Sequence, residues 1–115
     1  MGYYTDYTLS LSTQVPAEVL EKIRQVVDGW NVFETEWDAE WYACAKWYDY
    51  REDMCDLSRQ FPNVLFCLHG VGEGQDDLWD AYFLGGRMQY CPAQIIYEPF
   101  DPEKLEELPV GNNLL

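Results

Sequence analysis

The stretch Val64-Leu65-Phe66-Cys67-Leu68-His69-Gly70-Val71-Gly72-Glu73-Gly74-Gln75-Asp76-Asp77-Leu78-Trp79-Asp80-Ala81-Tyr82-Phe83-Leu84-Gly85-Gly86 decides how the chain folds. Val64 to His69 is a continuous apolar run suited to a central strand. Gly70 to Asp77 mixes glycines with acids and reads as a turn or loop. Leu78 to Leu84 is a further strand. Gly85-Gly86 is a two-residue hairpin turn, since such turns need positive φ at their central positions. Arg87 to Tyr97 then returns as strand, with Pro92 marking a bulge, a break or an edge.

Working back from there, Asp49 and Glu52 have the spacing of a capping box. They predict a helix whose inner face is Met54, Leu57 and Phe61, closed by Pro62-Asn63. Trp41 to Trp47 alternates, and Val32-Phe33 is a short apolar run. One or two strands are expected there, with a turn near 35–40. Pro16 opens a helix over about 16–28, with Val19, Leu20, Ile23, Val26 and Val27 at helical spacing and Gly29 as its stop. Tyr7, Leu9 and Leu11 alternate with Thr8, Ser10 and Ser12, a half-buried strand within 3–12. At the other end, Asp101-Pro102-Glu103 predicts a short last helix to about Leu108. The expected fold class is α+β. Its core is a ferredoxin-like β-α-β-β-α-β arrangement, an antiparallel sheet with two helices on one face, extended by a C-terminal β-hairpin. Residues 1–108 are read as a single domain and 109–115 as a frayed tail.

The chain has 115 residues, of which 48% are hydrophobic and 17% aromatic. That suits one domain with one core and excludes wholesale disorder. No apolar run approaches the roughly 18 residues of a transmembrane helix. Met1-Gly2-Tyr3-Tyr4-Thr5-Asp6 has neither a basic nor an apolar leader region, so no secretory signal is expected and the cytoplasm is the expected compartment. Cys44, Cys55, Cys67 and Cys91 form no CxxC motif, which predicts reduced, buried thiols.

Charge excludes more. Twenty-one Asp and Glu face seven Lys and Arg, for a net −14. Such a molecule repels phosphate backbones and anionic membranes, so neither direct nucleic-acid binding nor membrane binding is expected. The surplus serves solubility, or it serves a basic partner.

The chemical motifs are weak. His69 is the single histidine. It shares a strand face with Cys67, but side chains two apart on a strand start about 6.6 Å apart, an awkward reach for a nucleophile and its base. A zinc site from Cys67, His69 and Cys91 is conceivable, without diagnostic spacing. The Gly70–Gly74 segment lacks the Lys of a P-loop and does not open a helix, so it cradles no phosphate. Glu73, Asp76, Asp77 and Asp80 offer hard oxygen ligands, without the spacing of a calcium loop. No cofactor is expected. Tyr3, Tyr4, Trp37, Trp41, Trp47 and Tyr48 could stack bases, but no basic groove accompanies them. Core or protein interface is the better reading.

Glu34, Glu36, Asp38 and Glu40 recur at every second position. If that segment is extended, four carboxylates stand on one face at about 6.6 Å steps. Such a row resembles one strand of a nucleic-acid backbone and would find a Lys/Arg groove. A turn within 35–40 would break it.

The chain resembles a group of small acidic proteins encoded by phages and other mobile elements. The likeness spans nearly the whole length. It rests on Tyr3-Tyr4-Thr5, Lys46-Trp47-Tyr48 with Glu52-Asp53-Met54, Ser58-Arg59-Gln60-Phe61-Pro62, Gly72-Glu73-Gly74 with Asp77-Leu78-Trp79, and Tyr82-Phe83. The resemblance implies no enzymatic activity and carries over no functional residues. By analogy of charge and size it places the chain beside inhibitors of host defence, including anti-CRISPR proteins. The expected function is therefore a non-enzymatic inhibitor that binds a basic nucleic-acid-handling host protein. Glu34, Glu36, Asp38 and Glu40 would be one contact patch, with Glu73, Asp76, Asp77 and Asp80 as the second. The alternative is a divalent-cation-dependent enzyme or ligand-binding module that uses the Gly70–Asp80 loop.

Overall fold

A computed structural model describes residues 2–11, 14–34 and 39–109. In chain order the elements are β1 (Thr5–Leu11), α1 (Ala17–Val26), β2 (Asn31–Glu34), β3 (Ala39–Ala45), α2 (Tyr50–Gln60), β4 (Phe66–Gly72), β5 (Leu78–Leu84) and β6 (Arg87–Pro92). A single 3-10 turn, Pro102–Lys104, follows. The fold is α+β: one six-stranded antiparallel sheet, in the order β2-β3-β1-β4-β5-β6, and two helices. The hairpin β5-β6 lies beyond β4, so the strand order is longer than a simple β-α-β-β-α-β arrangement.

Alternation on the strands explains the layering. Tyr7 and Leu9 of β1, Trp41 of β3, Phe66 and Leu68 of β4, and Trp79, Ala81 and Phe83 of β5 are buried on one face. The register confirms it, since Leu9 is paired with both Trp41 and Leu68, and Leu68 with Ala81. Val19 and Ile23 of α1, Val27 beyond it, and Met54 and Leu57 of α2 close over that face in the same cluster. Each large side chain so buried contributes roughly 1.5–3 kcal/mol. The opposite face carries Thr8, Tyr42, His69 and Asp80, and no helix or strand among the described residues forms a second layer over it. Antiparallel sheets tolerate one wet face.

The ends of the elements differ from expectation in three places. Asp49 is the N-cap residue of α2, but its side chain makes no cap hydrogen bond, so no capping box forms. β4 runs on to Gly72, which shortens the turn before β5. β6 stops at Pro92, and the expected last helix is only the turn at 102–104, where Asp101 accepts the Glu103 N–H at 3.0 Å. The Gly85-Gly86 turn is as expected, with φ of 60° and 82°. The tail reading for 109–115 falls, beyond Pro109, outside the described residues.

Candidate functional site

The first acidic group does not form a row. Glu34 is paired with Ala39, and Phe33 with Glu40, in an antiparallel β2-β3 pair. The chain has therefore reversed between them, and a straight strand over 34–40 is excluded. Glu36 and Asp38 lie outside the described residues. Glu40 stands on the open face of the sheet, in the alternation that exposes Tyr42 and Cys44. Glu34 is on the side of its partner Ala39, which is buried, and there Arg24 of α1 donates to it at 2.8 Å. The two carboxylates thus sit on opposite faces.

The second group is also divided. Asp80 stands on the open face and takes His69 Nδ1 at 2.7 Å across the β4-β5 pair. Glu73 and Asp77 are used by the N-terminal segment. Glu73 Oε2 accepts the Tyr4 N–H at 2.9 Å, and Asp77 Oδ2 accepts the Tyr3 hydroxyl at 2.5 Å. The Tyr3 oxygen in turn accepts the Gly74 N–H at 3.0 Å. Because the Asp77 carboxylate holds its proton, the Tyr3 phenol is raised above its ordinary pKa. Only Asp76 of this turn projects without a role in the clasp.

Gly70 and Gly72, at the end of β4, are required by close approach, not by phosphate. A Cβ at Gly70 would run into the Trp79 indole, and one at Gly72 would meet the Asp77 carboxylate and the Tyr3 hydroxyl. Among the described residues no three His, Cys, Asp or Glu come together as metal ligands. A cation in the Gly70–Asp80 loop would have to compete with Tyr3 and Tyr4 for two of its four carboxylates.

Glu40 and the Glu73–Asp77 turn lie at opposite ends of the sheet. Thr5 is paired with Gly72 while Ser10 is paired with Glu40. Five residues of strand, roughly 17 Å, separate these levels.

Tyr3, Trp47 and Tyr48, singled out in the sequence as core or interface aromatics, come together with Tyr7, Tyr50 and Trp79 in a hollow beside the Glu73–Asp77 turn that sequence reading did not assemble. Its walls are Tyr3, Tyr7, Trp47, Tyr48, Tyr50 and Trp79, above Thr5. Tyr7 meets Trp47 edge-on at 5.6 Å between ring centres and Trp79 edge-on at 6.1 Å, while Tyr50 stacks on Trp79 at 4.9 Å. Polar ends fix the rings. The Tyr7 hydroxyl donates to the Trp47 carbonyl at 3.1 Å, and the Trp47 indole N–H donates to Asp53 at 2.7 Å. The Tyr48 hydroxyl accepts the Tyr3 N–H at 3.0 Å. Faces and carboxylates of this kind attract cations. Arg51 already lies over the Tyr50 and Tyr90 rings at 5.7 and 5.4 Å. The available signal was the aromatic density of Tyr3–Tyr7 and Trp47–Tyr50.

The thiols were expected to be buried. Instead Cys44 is exposed and Cys55, Cys67 and Cys91 are half-buried, all four unpaired. Partial burial pushes the Cys67 thiol up, which disfavours the thiolate a nucleophile needs. Its neighbour His69 turns its Nδ1 to Asp80.

No protein family, curated protein or solved structure matches the chain. No helix among the described residues is long and apolar enough to cross a membrane.

Proposed function

We propose that this protein is a non-enzymatic, phage-type inhibitor that works in the host cytoplasm. It binds a basic nucleic-acid-handling protein by presenting carboxylates where that protein expects phosphates. A CRISPR effector is one target of this class. The observation that carries the reading is the unneutralised charge. Of 21 carboxylates against a net −14, the ion pairs of the described residues engage Glu21, Glu34, Asp56, Asp80 and Glu98. Evenly stepped mimicry of one backbone strand has lost its support with the reversal between Glu34 and Ala39. The contact is instead assigned to the sheet end that holds Glu73, Asp76 and Asp77 beside the aromatic hollow, where a Lys or Arg side chain of the partner would find ring faces and carboxylates together. Glu40 adds charge at the far end.

The fold is read as a ferredoxin-like core with an added hairpin. The β2-β3-β1-β4 order supports this, because each helix connects two strands that have a third between them.

The test is capture of partners from bacterial lysate by the tagged protein, washed at low and at high salt, with nucleic acid as competitor. A basic complex released by salt and by DNA or RNA is the expected result. The Glu40→Lys/Asp76→Lys variant should bind at least tenfold more weakly while its circular dichroism is unchanged. A folded variant that binds as well as the parent, or a partner indifferent to salt and nucleic acid, overturns the reading.

A further inference from the structure

The chain from Ala93 to Pro109 leaves the sheet as an arm. The Ala93 N–H makes a last ladder bond to the Leu78 carbonyl at 2.8 Å. Beyond it, Ile96, Tyr97, Phe100, Leu105 and Leu108 are 70–86% exposed. Tyr90 still meets the core residue Trp79, at 5.8 Å between ring centres, and no described hydrophobic residue beyond Tyr90 is grouped with the core. Pro92, Pro99, Pro102 and Pro109 fix φ and keep the arm from folding back. The molecule measures 62 Å along its longest axis, with a radius of gyration of 19.9 Å. A compact chain of this length would have one of about 13 Å.

The open sheet face of the same chain offers a strip, bounded by exposed apolar side chains, that can serve as a trough. On the open sheet face, Phe33 and Tyr42 stand on β2 and β3, and Tyr82 and Leu84 on β5. Between them run β1 and β4, which present Ser10 and Cys67 in the row that joins Glu40 to Tyr82, and Thr8 and His69 in the row that joins Tyr42 to Asp80. β3 and β5 are three strand spacings apart, roughly 14 Å, wide enough for one extended chain.

We propose that the arm seats in this trough on a second copy of the chain, and that the exchange is reciprocal, giving a two-fold dimer. Fully extended, residues 93–109 reach at most about 56 Å, while six strands span roughly 29 Å, so the arm can cross its neighbour's sheet. If each of the five side chains buries about 120 Å², with an equal area of trough, two such contacts bury roughly 2,400 Å², within the range of obligate homodimers. The proline-stiffened arm loses little entropy on docking. This proposal does not rest on the charge-based function. Both surfaces are acidic, so salt should strengthen self-association by screening, whereas it weakens capture of a basic partner.

Sedimentation of the full chain over a concentration series, at low and high salt, tests it. The expected species has twice the 13.5 kDa chain mass and gains population with salt. Tyr97→Ser/Phe100→Ser in the arm and Tyr82→Ser/Leu84→Ser on the trough wall should each raise the dissociation constant at least tenfold. All four positions are exposed on the monomer, so the fold should survive, as circular dichroism will verify. A parent that stays monomeric at every concentration overturns the proposal, whatever else it binds. A dimer that ignores the arm variant, or one that needs the arm but not the trough wall, also overturns it.

Discussion

The sheet-and-helix body and the arm that follows it use the same kinds of side chain to opposite ends. Phe66, Leu68 and Leu57 are at most 1% exposed, while Phe100, Leu105 and Leu108 are 70% exposed or more. Composition does not separate the two regions. What separates them is whether a second layer arrives. In the body, strand alternation puts every second residue on one face, and two amphipathic helices cover that face. In the arm, prolines interrupt any period, and the one turn at 102–104 is too short to make an apolar face.

Truncation breaks or sustains this comparison most directly. Phe66→Ala should destabilise the protein by about 3–5 kcal/mol through lost burial and the cavity left behind. Phe100→Ala should change monomer stability by no more than about 0.5 kcal/mol. Urea unfolding at low protein concentration reads both, and equal losses would mean that the arm belongs to the folded body. A smaller effect sharpens the boundary. Ser58 is fully buried on α2; its hydroxyl donates to the Cys55 carbonyl at 3.0 Å and accepts the Gly86 N–H at 2.9 Å. It therefore ties the helix to the β5-β6 turn, one strand before the arm begins. Ser58→Ala leaves the Gly86 N–H without that partner and should cost about 1–3 kcal/mol. Amide exchange should speed up at the hairpin turn while remaining unchanged in the arm.

The smallest expected effect concerns the opposite end of the chain, where the N-terminal segment is held as the arm is not. Tyr3→Phe removes the bonds to Asp77 and Gly74, and the melting temperature should fall by less than it does for Ser58→Ala. The sign with pH follows from the raised Tyr3 pKa, which Asp77 causes. The stabilisation is complete below the ordinary phenol value near 10 and disappears as pH rises through the folded-state value. The parent should therefore outlast Tyr3→Phe at pH 8 and lose that advantage in strong alkali. Tyr7, whose phenol is raised mainly by burial, is common to both proteins and cancels in the difference. A difference that is flat with pH would mean that the clasp does not depend on the phenolic proton.

Much of the body was legible in local pattern. The alternation of Tyr7, Leu9 and Leu11, the helical spacing of Val19, Ile23 and Val27, and the Gly85-Gly86 turn each state a conformation through period or backbone freedom. Residues that act through a single side chain were less legible. Asp49 and Glu52 have capping-box spacing, yet Asp49 makes no side-chain cap bond, and its backbone at ψ 22° departs from the extended form usual for such a cap. Asp53 serves the Trp47 indole instead. The acids of 34–40 share a two-residue spacing, but spacing alone does not say whether the chain continues or turns. The β2-β3 register answers that by facing Glu34 with Ala39.

Net charge, the apolar period of each element and the hairpin turn are therefore properties of the chain alone, because each depends on composition or on neighbours a few residues away. The division of the carboxylates required the folded molecule. Tyr3 meets Asp77 across 74 positions and Tyr4 meets Glu73 across 69, distances over which no local period carries information. The same holds for the aromatic hollow and for the trough between Tyr42 and Tyr82. Both are assembled by strand pairing, which places side chains from distant segments at fixed spacings and leaves the arm with nothing of its own to cover.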